Sequence, residues 1–447
     1  MRTIQKIIVM FQMAFEKLQV RVSLKKLEEL AILVHKAMTV HGRKYHTVEH
    51  IFSFAELADP FQSLAALFHD LICYQVDRGF APEIERIISP YLQAKEGQLF
   101  LTEERRPNDR PFTLTCDMFG FQAGQQLPLF AGLSEFLSAL VMHKELTGIL
   151  PEKDILPITV CIEATIPFRG KNDRGESYPE MLEQRLTTIQ QRDKLFMNSG
   201  EIEEIIKRAV VFANKDAENF AEHDPGKFLD HTWKLLPETN VSLRAREIYS
   251  IKDYRQALQK MEEFFGGLNL DNIFHRYRGV PAEPEFQHKV KSAYTNVAIA
   301  REYLGIKLLT MIILEAFADL TGGDVPLSLV MGDLQKEGEN TPHLEDFLPV
   351  VEEYRFIDHA SPVFQLLETG RARESSFDLK NSPLSAFLYK QMGAGETQTF
   401  TGECQRSDRG NPECPGFFEA DGSVNCGYHC QGYGGHGDHP PRAITPI

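Results

Sequence analysis

Apolar residues recur at three- and four-residue steps along most of this chain, the period of a helix with one face turned to a core. The pattern covers residues 2–19, 24–38, 47–58 and 61–74, and returns at 133–149, 153–166, 177–192, 200–222, 241–265 and 285–320. Ser23 stands where a helix N-cap belongs, and Pro60 ends one helix and opens the next. Residues 98–130 read as irregular, with one short strand. The predicted class is therefore all-α, a helical bundle with helical insertions. The stretch "TGGDVP" (321–326) breaks the periodicity and divides the chain into a helical domain over 1–325, a C-terminal helical extension over 326–392 and a tail over 393–447. The tail is rich in Gly, Cys and His and poor in aliphatic residues, so it lacks the material for a core of its own.

The composition narrows the function. With 447 residues, 43% of them hydrophobic, the chain can bury a sizeable core. Its 63 acidic residues exceed its 48 basic ones, for a net charge of −15. That balance argues against binding nucleic acid, which requires Lys and Arg to neutralise phosphates. A small phosphorylated substrate stays compatible, because bound cations reverse the field locally. The apolar stretch "LGIKLLTMIILEAF" (304–317) is interrupted by Lys307 and Glu315 and is too short for a membrane span. At the N-terminus, Gln12, Glu16 and Lys17 suit an amphipathic helix better than a signal peptide. Of seven cysteines, Cys73, Cys116 and Cys161 are scattered through apolar segments and read as reduced thiols. An odd total without a secretion signal fits a reducing, cytoplasmic setting.

The chemistry concentrates in "KYHTVEHIFSF" (44–54) and "QSLAALFHDLICY" (62–74). His46 and His50 lie four apart. With Thr47 as N-cap, His46 sits at the mouth of a helix and His50 one turn inside, both able to face one centre. One imidazole can bind a metal while the other moves a proton. His69 and Asp70 follow inside an apolar run whose stripe is Leu64, Ala65, Phe68, Leu71 and Ile72. An unpaired His-Asp couple there would cost several kcal/mol, and a metal resolves the cost by accepting both groups. In "EIEEIIKRAVVFANKDAENFAEHD" (201–224), Asp216 occupies a position of the apolar stripe where an aliphatic residue belongs, which marks it as a further ligand.

This H…HD…D pattern resembles the HD-domain superfamily of metal-dependent phosphohydrolases. "YHTVEH" is also similar to the Y-H-N-x-x-H opening of class I cyclic-nucleotide phosphodiesterases and related bacterial HD proteins. "FANKDAENF" (212–220) and "FLDHTWKLLPETN" (228–240) resemble segments of a bacterial HD branch to which no substrate attaches here. The resemblance covers roughly residues 43–220 and implies an HD-type helical domain. It implies His46 as general acid and His50, His69, Asp70 and Asp216 as ligands, Asp70 bridging one or two divalent ions (Mn, Mg, Zn, Co or Fe). Thr47 replaces the phosphodiesterase asparagine, and the interval from His50 to His69 is shorter. The later glutamine that selects a purine is not found, although "GFQAGQQ" (120–126) offers glutamines. A cyclic nucleotide is thus one option among small phosphoesters.

Other residues support the site. His143, near an apolar stripe, is an added-ligand candidate. Glu163, in the apolar run "ITVCIEATIPFRG" (158–170), is a candidate base, with pairing to a nearby Arg as the alternative. Arg169 and Lys215 are candidates for holding the substrate phosphate. In the tail, Cys404, Cys414, Cys426 and Cys430, with His429, His436 and His439, allow a structural zinc, though their spacing is not that of paired short knuckles. The expected activity is hydrolysis of a nucleotide or other small phosphoester by metal-activated water. The rivals are a di-iron oxygenase, which extra histidine ligands such as His143 would favour, and a catalytically silent HD protein that binds a partner.

Overall fold

A computed structural model describes residues 2–77, 79–95, 97–103, 109–129, 131–195, 197–244, 249–327, 347–349, 360–373, 375 and 378–393. The four tail cysteines and the tail histidines lie outside them. The expected all-α class holds: the described residues are mostly helical, with one two-stranded hairpin.

In chain order the first elements are α1 (Thr3–Lys17), α2 (Leu24–Met38), α3 (Val48–Ser53), α4 (Pro60–Phe68), α5 (Tyr74–Asp77) and α6 (Pro82–Ile88). The hairpin β1 (Leu92–Lys95) and β2 (Gln98–Leu101) follows, antiparallel, with Leu92 opposite Leu101 and Lys95 opposite Gln98. Then come α7 (Arg110–Phe119), α8 (Leu133–Leu146), α9 (Glu152–Ala164), α10 (Tyr178–Asp193) and α11 (Ser199–Asp216).

The local signals explain the starts. Ser23 Oγ accepts from the Lys26 amide at 3.2 Å, and Asp59 accepts from the amides of Phe61 and Gln62 with Pro60 in the first turn of α4. Two expectations change. The segment 98–130 contains the second hairpin strand and a full helix, α7, which begins at the N-cap Asp109 and stops at the left-handed Gly120. Its Thr- and Pro-bearing sequence is a weak helix former; burial of Phe112, Leu114, Met118 and Phe119 decides the outcome. The helix expected over 61–74 ends at Phe68, so His69 and Asp70 stand on a turn while Leu71 and Ile72 are still buried.

The described residues divide into two compact units, the first within residues 1–217 together with Asn269–Gln287 and the second formed by Glu218–Leu268 together with the described residues between 288 and 393. The boundary thus falls at Ala217 rather than at 325, and the described part of the expected 326–392 extension belongs to the second unit. In the first unit α9 is the central helix. Every residue from Ile155 to Ala164 is buried, and α4, α7, α8 and α11 pack around it. Gln62 donates to the Arg208 carbonyl at 2.8 Å and Arg208 pairs with Asp59 at 2.7 Å, so the first turn of α4 is tied to α11.

The second unit contains α12 (Pro225–Trp233), α13 (Leu235–Thr239), α14 (Ile251–Gly267), most of α15 (Glu283–Thr321) and α16 (Pro362–Glu368), with residues 383–393 also helical. Its core holds a buried ionic node. Asp378 accepts from Trp233 Nε1 at 2.8 Å, Lys307 Nζ at 2.9 Å and Arg371 Nη1 at 2.9 Å.

Candidate metal centre

Three element ends converge in the first unit. His50 projects from α3, His69 and Asp70 from the turn that ends α4, and Asp216 is the last residue of α11. His50 Nε2 lies 3.0 Å from Asp216 Oδ1 and 3.5 Å from Asp70 Oδ2. His69 Nε2 lies 3.1 Å from Asp70 Oδ2, 3.6 Å from Asp216 Oδ1 and 3.4 Å from His50 Nε2. Among the described residues, His50, His69 and Asp216 form the group able to hold a metal ion, their ligand atoms all within 4.8 Å of one another.

The hydrogen bonding asks for a cation. His69 Nδ1 lies 3.0 Å from the Ala66 carbonyl, which can only accept, so the proton sits on Nδ1 and Nε2 of a neutral ring carries a lone pair. That lone pair faces two carboxylates and another imidazole nitrogen. Asp70 Oδ2 is buried with no hydrogen-bond partner among the described residues. Ligands roughly 2.0–2.2 Å from a divalent ion stand about 2.8–3.6 Å from each other, the range seen among these atoms. The residues therefore fit the implied metal.

The electrostatics carry the same message. Burial would lower the His69 pKa, but Asp70 and Asp216 overcome it and hold the imidazole well above its ordinary range. Burial would raise both carboxyls, yet His69 and His46 hold Asp70 well below the usual range, and hydrogen bonding with His50 and His69 brings Asp216 down to about 2. A proton on His69 is thus what compensates the two carboxylates when nothing else does.

The site has a closed and an open side. The His69 side chain is 1% exposed, against its two carboxylate neighbours at 20% for Asp70 and 26% for Asp216. His46 is half-buried at the bend before Thr47, the N-cap of α3, as the spacing predicts. Its ring centroid is 6.5 Å from that of His50, and its charge acts on Asp70. Phe54 and Phe212 pack against the His69 ring, shielding the rear of the cluster.

The other expected site residues are placed elsewhere. His143 is buried on α8, its Nδ1 3.3 Å from Thr115 Oγ1, and it is not in the cluster. Burial pushes its pKa down to about 4. Glu163 is fully buried at the end of α9 and accepts from Arg169 at 3.0 Å, Arg185 at 2.8 Å and the Tyr178 hydroxyl. That carboxylate is engaged on every side, which is the arginine-paired alternative rather than a free base. Lys215 pairs with Glu56 at 3.2 Å.

Arg169 lies nearer the site. It follows Phe168, whose φ of 60° is left-handed, and stacks on the Tyr178 ring at 5.0 Å. Gly132, at the start of α8, has φ +108°, and a Cβ there would meet Ile166 Cδ1 at 2.8 Å, so the loop carrying Arg169 seats directly on α8. One carboxylate, Glu163, serves two guanidiniums, leaving an excess positive charge. Glu135 in the first turn of α8 answers part of it and was not anticipated from the sequence. The half-buried Glu135 carboxyl feels Asp70, Asp216 and Arg169, and burial together with the Asp70 charge raises it to about 7. A group at that value can exchange protons near neutrality.

No family model, curated protein or solved structure matches the chain. No helix among the described residues is long and apolar enough to cross a membrane.

Proposed function

We propose that the protein is a metal-dependent phosphohydrolase acting on a small phosphoester, with nucleotides the first class to test. The observation that carries this reading is the set of facing acceptors from His50, His69, Asp70 and Asp216, with the His69 Nδ1 proton committed to Ala66. Bound divalent ions would supply a water acidic enough to ionise near neutral pH and would neutralise phosphoryl oxygens. The chain's own residues do the rest. His50, His69, Asp70 and Asp216 would hold the ions. His46, beside them at the mouth of α3, protonates the leaving alkoxide. The excess positive charge at Arg169 draws the anionic substrate to the open, carboxylate side. The net charge of −15 supports a small substrate over nucleic acid.

The oxidative alternative gains nothing from His143, which packs against Thr115 instead of joining the cluster. The test is a screen of mono-, cyclic and dinucleotides with Mn²⁺, Co²⁺ or Mg²⁺. Turnover that Asp70→Ala abolishes is expected. Bound iron with oxygen uptake and no phosphate release would overturn the reading.

A further inference from the structure

The turn bearing His69 and Asp70 is held from behind by a residue outside the expected site. Arg43 is fully buried, three positions before His46. Its Nε donates to Asp77 Oδ1 at 2.7 Å and its Nη2 to Asp77 Oδ2 at 2.5 Å. Nη1 donates to the Asp70 carbonyl at 2.6 Å, and Nη2 to the Leu71 carbonyl at 3.2 Å. The remaining Nη1 hydrogen meets Met38 Sδ at 3.1 Å. A guanidinium has five donors in a fixed fork, and each has an acceptor here. Asp77 Oδ2 also accepts from the Cys73 amide at 2.9 Å.

We infer that Arg43 is the positioning residue of the metal centre, locking the Asp70 turn in register with the His46–His50 segment. Two features of the turn assign this role to Arg43. Because α4 stops at Phe68, the Asp70 and Leu71 carbonyls have left the helical ladder and need outside donors. Arg43 supplies both, so the backbone bearing one ligand is fixed to the backbone three residues before the histidine pair. Second, a buried ion pair is weak in net stability and apolar residues of similar volume often replace it without loss. The clasp is therefore better understood as fixing geometry than as holding the fold together.

This inference rests on the metal-centre reading, and the experiment separates the two. Mn²⁺ affinity by calorimetry and the metal-free melting midpoint are measured for the wild type, Arg43→Lys and the double variant Arg43→Met/Asp77→Leu. The double variant removes both buried charges together; with the Asp70 and Leu71 carbonyls and the Cys73 amide left without their partners it should melt below the wild type yet remain folded, and the folded protein should bind Mn²⁺ roughly 10- to 100-fold more weakly, the range for residues that orient metal ligands. Arg43→Lys keeps a cation beside Asp77 but cannot span both carbonyls, and its Mn²⁺ affinity should also fall. Wild-type Mn²⁺ affinity in either folded variant overturns the inference and leaves the metal centre standing. A wild type that binds no Mn²⁺ overturns the metal-centre reading and the inference with it.

Discussion

His50 Nε2 lies 3.0 Å from Asp216 Oδ1, a contact between the first turns of α3 and the last residue of α11, 166 positions apart. Asp216 interrupts the apolar stripe that α11 otherwise buries, and its carboxyl is held at about 2 by the imidazoles opposite. Replacing it by Asn keeps shape and removes the charge. Asp216→Asn should weaken Mn²⁺ binding by at least about tenfold while leaving the metal-free melting midpoint within a few degrees of wild type. Unchanged calorimetric affinity would remove Asp216 from the ligand set.

The proton on His69 and the metal compete for the same lone pair and carboxylates, which predicts a pH signature. His69 has a folded pKa raised well above its unfolded value. Its contribution to stability is therefore complete below about pH 6.5 and is lost as pH rises through the elevated folded value. The metal-free protein should lose stability on that alkaline side, and Mn²⁺ should restore it, since metal binding displaces the proton. Melting curves from pH 6 to 9 with and without Mn²⁺ check this. A metal-induced rise in midpoint that shrinks as pH increases would contradict it.

Part of this site was legible in the sequence because it violates the rules of a core. A His-Asp pair inside "AALFHDL" and a carboxylate in an apolar stripe are conspicuous against their neighbours, and all four ligand candidates converge. Glu163 was conspicuous for the same reason, but a buried carboxylate reveals only that it has partners. Arg169 and Arg185 supply them, from six and 22 residues away. Glu135 and Arg43 had no such signature. A Glu in the first turn of a helix is favoured at any α-helix by the dipole, so nothing distinguished one that faces two aspartates. Arg43 bonds to carbonyls and to Asp77, 34 residues on, and neither relation leaves a periodic trace. The early end of α4 was also hidden, since Leu71 and Ile72 continue the helical stripe after the helix has stopped.

Glu163 gives a prediction that separates support from chemistry. Glu163→Gln leaves the Arg169 and Arg185 guanidiniums sharing a neutral amide beside a buried tyrosine. The loss should be about 3 kcal/mol, the lower end for breaking a buried pair, because both arginines retain partial solvent contact. Mn²⁺ affinity of the folded fraction should remain near wild type, since no ligand atom is removed. A catalytic base would behave in the opposite way, with stability retained and turnover lost, so denaturant unfolding and turnover measured on one variant decide between the roles.

His143 predicts the acid limb of the stability curve. Burial holds its folded pKa at about 4, below the ordinary imidazole value near 6.5. The unfolded chain therefore takes up a proton first, and the stability associated with the neutral ring is present above about pH 6.5 and is lost as pH falls towards 4. The gap corresponds to at most about 3 kcal/mol. His143→Gln keeps a polar group that can bond to Thr115 but does not titrate in this window. The variant should show a shallower loss of stability between pH 6.5 and 4, with Mn²⁺ binding unchanged at pH 8. Urea unfolding at a series of pH values measures the slope. Parallel acid limbs would show that His143 is not held neutral, and a fall in Mn²⁺ affinity would return it to the metal centre.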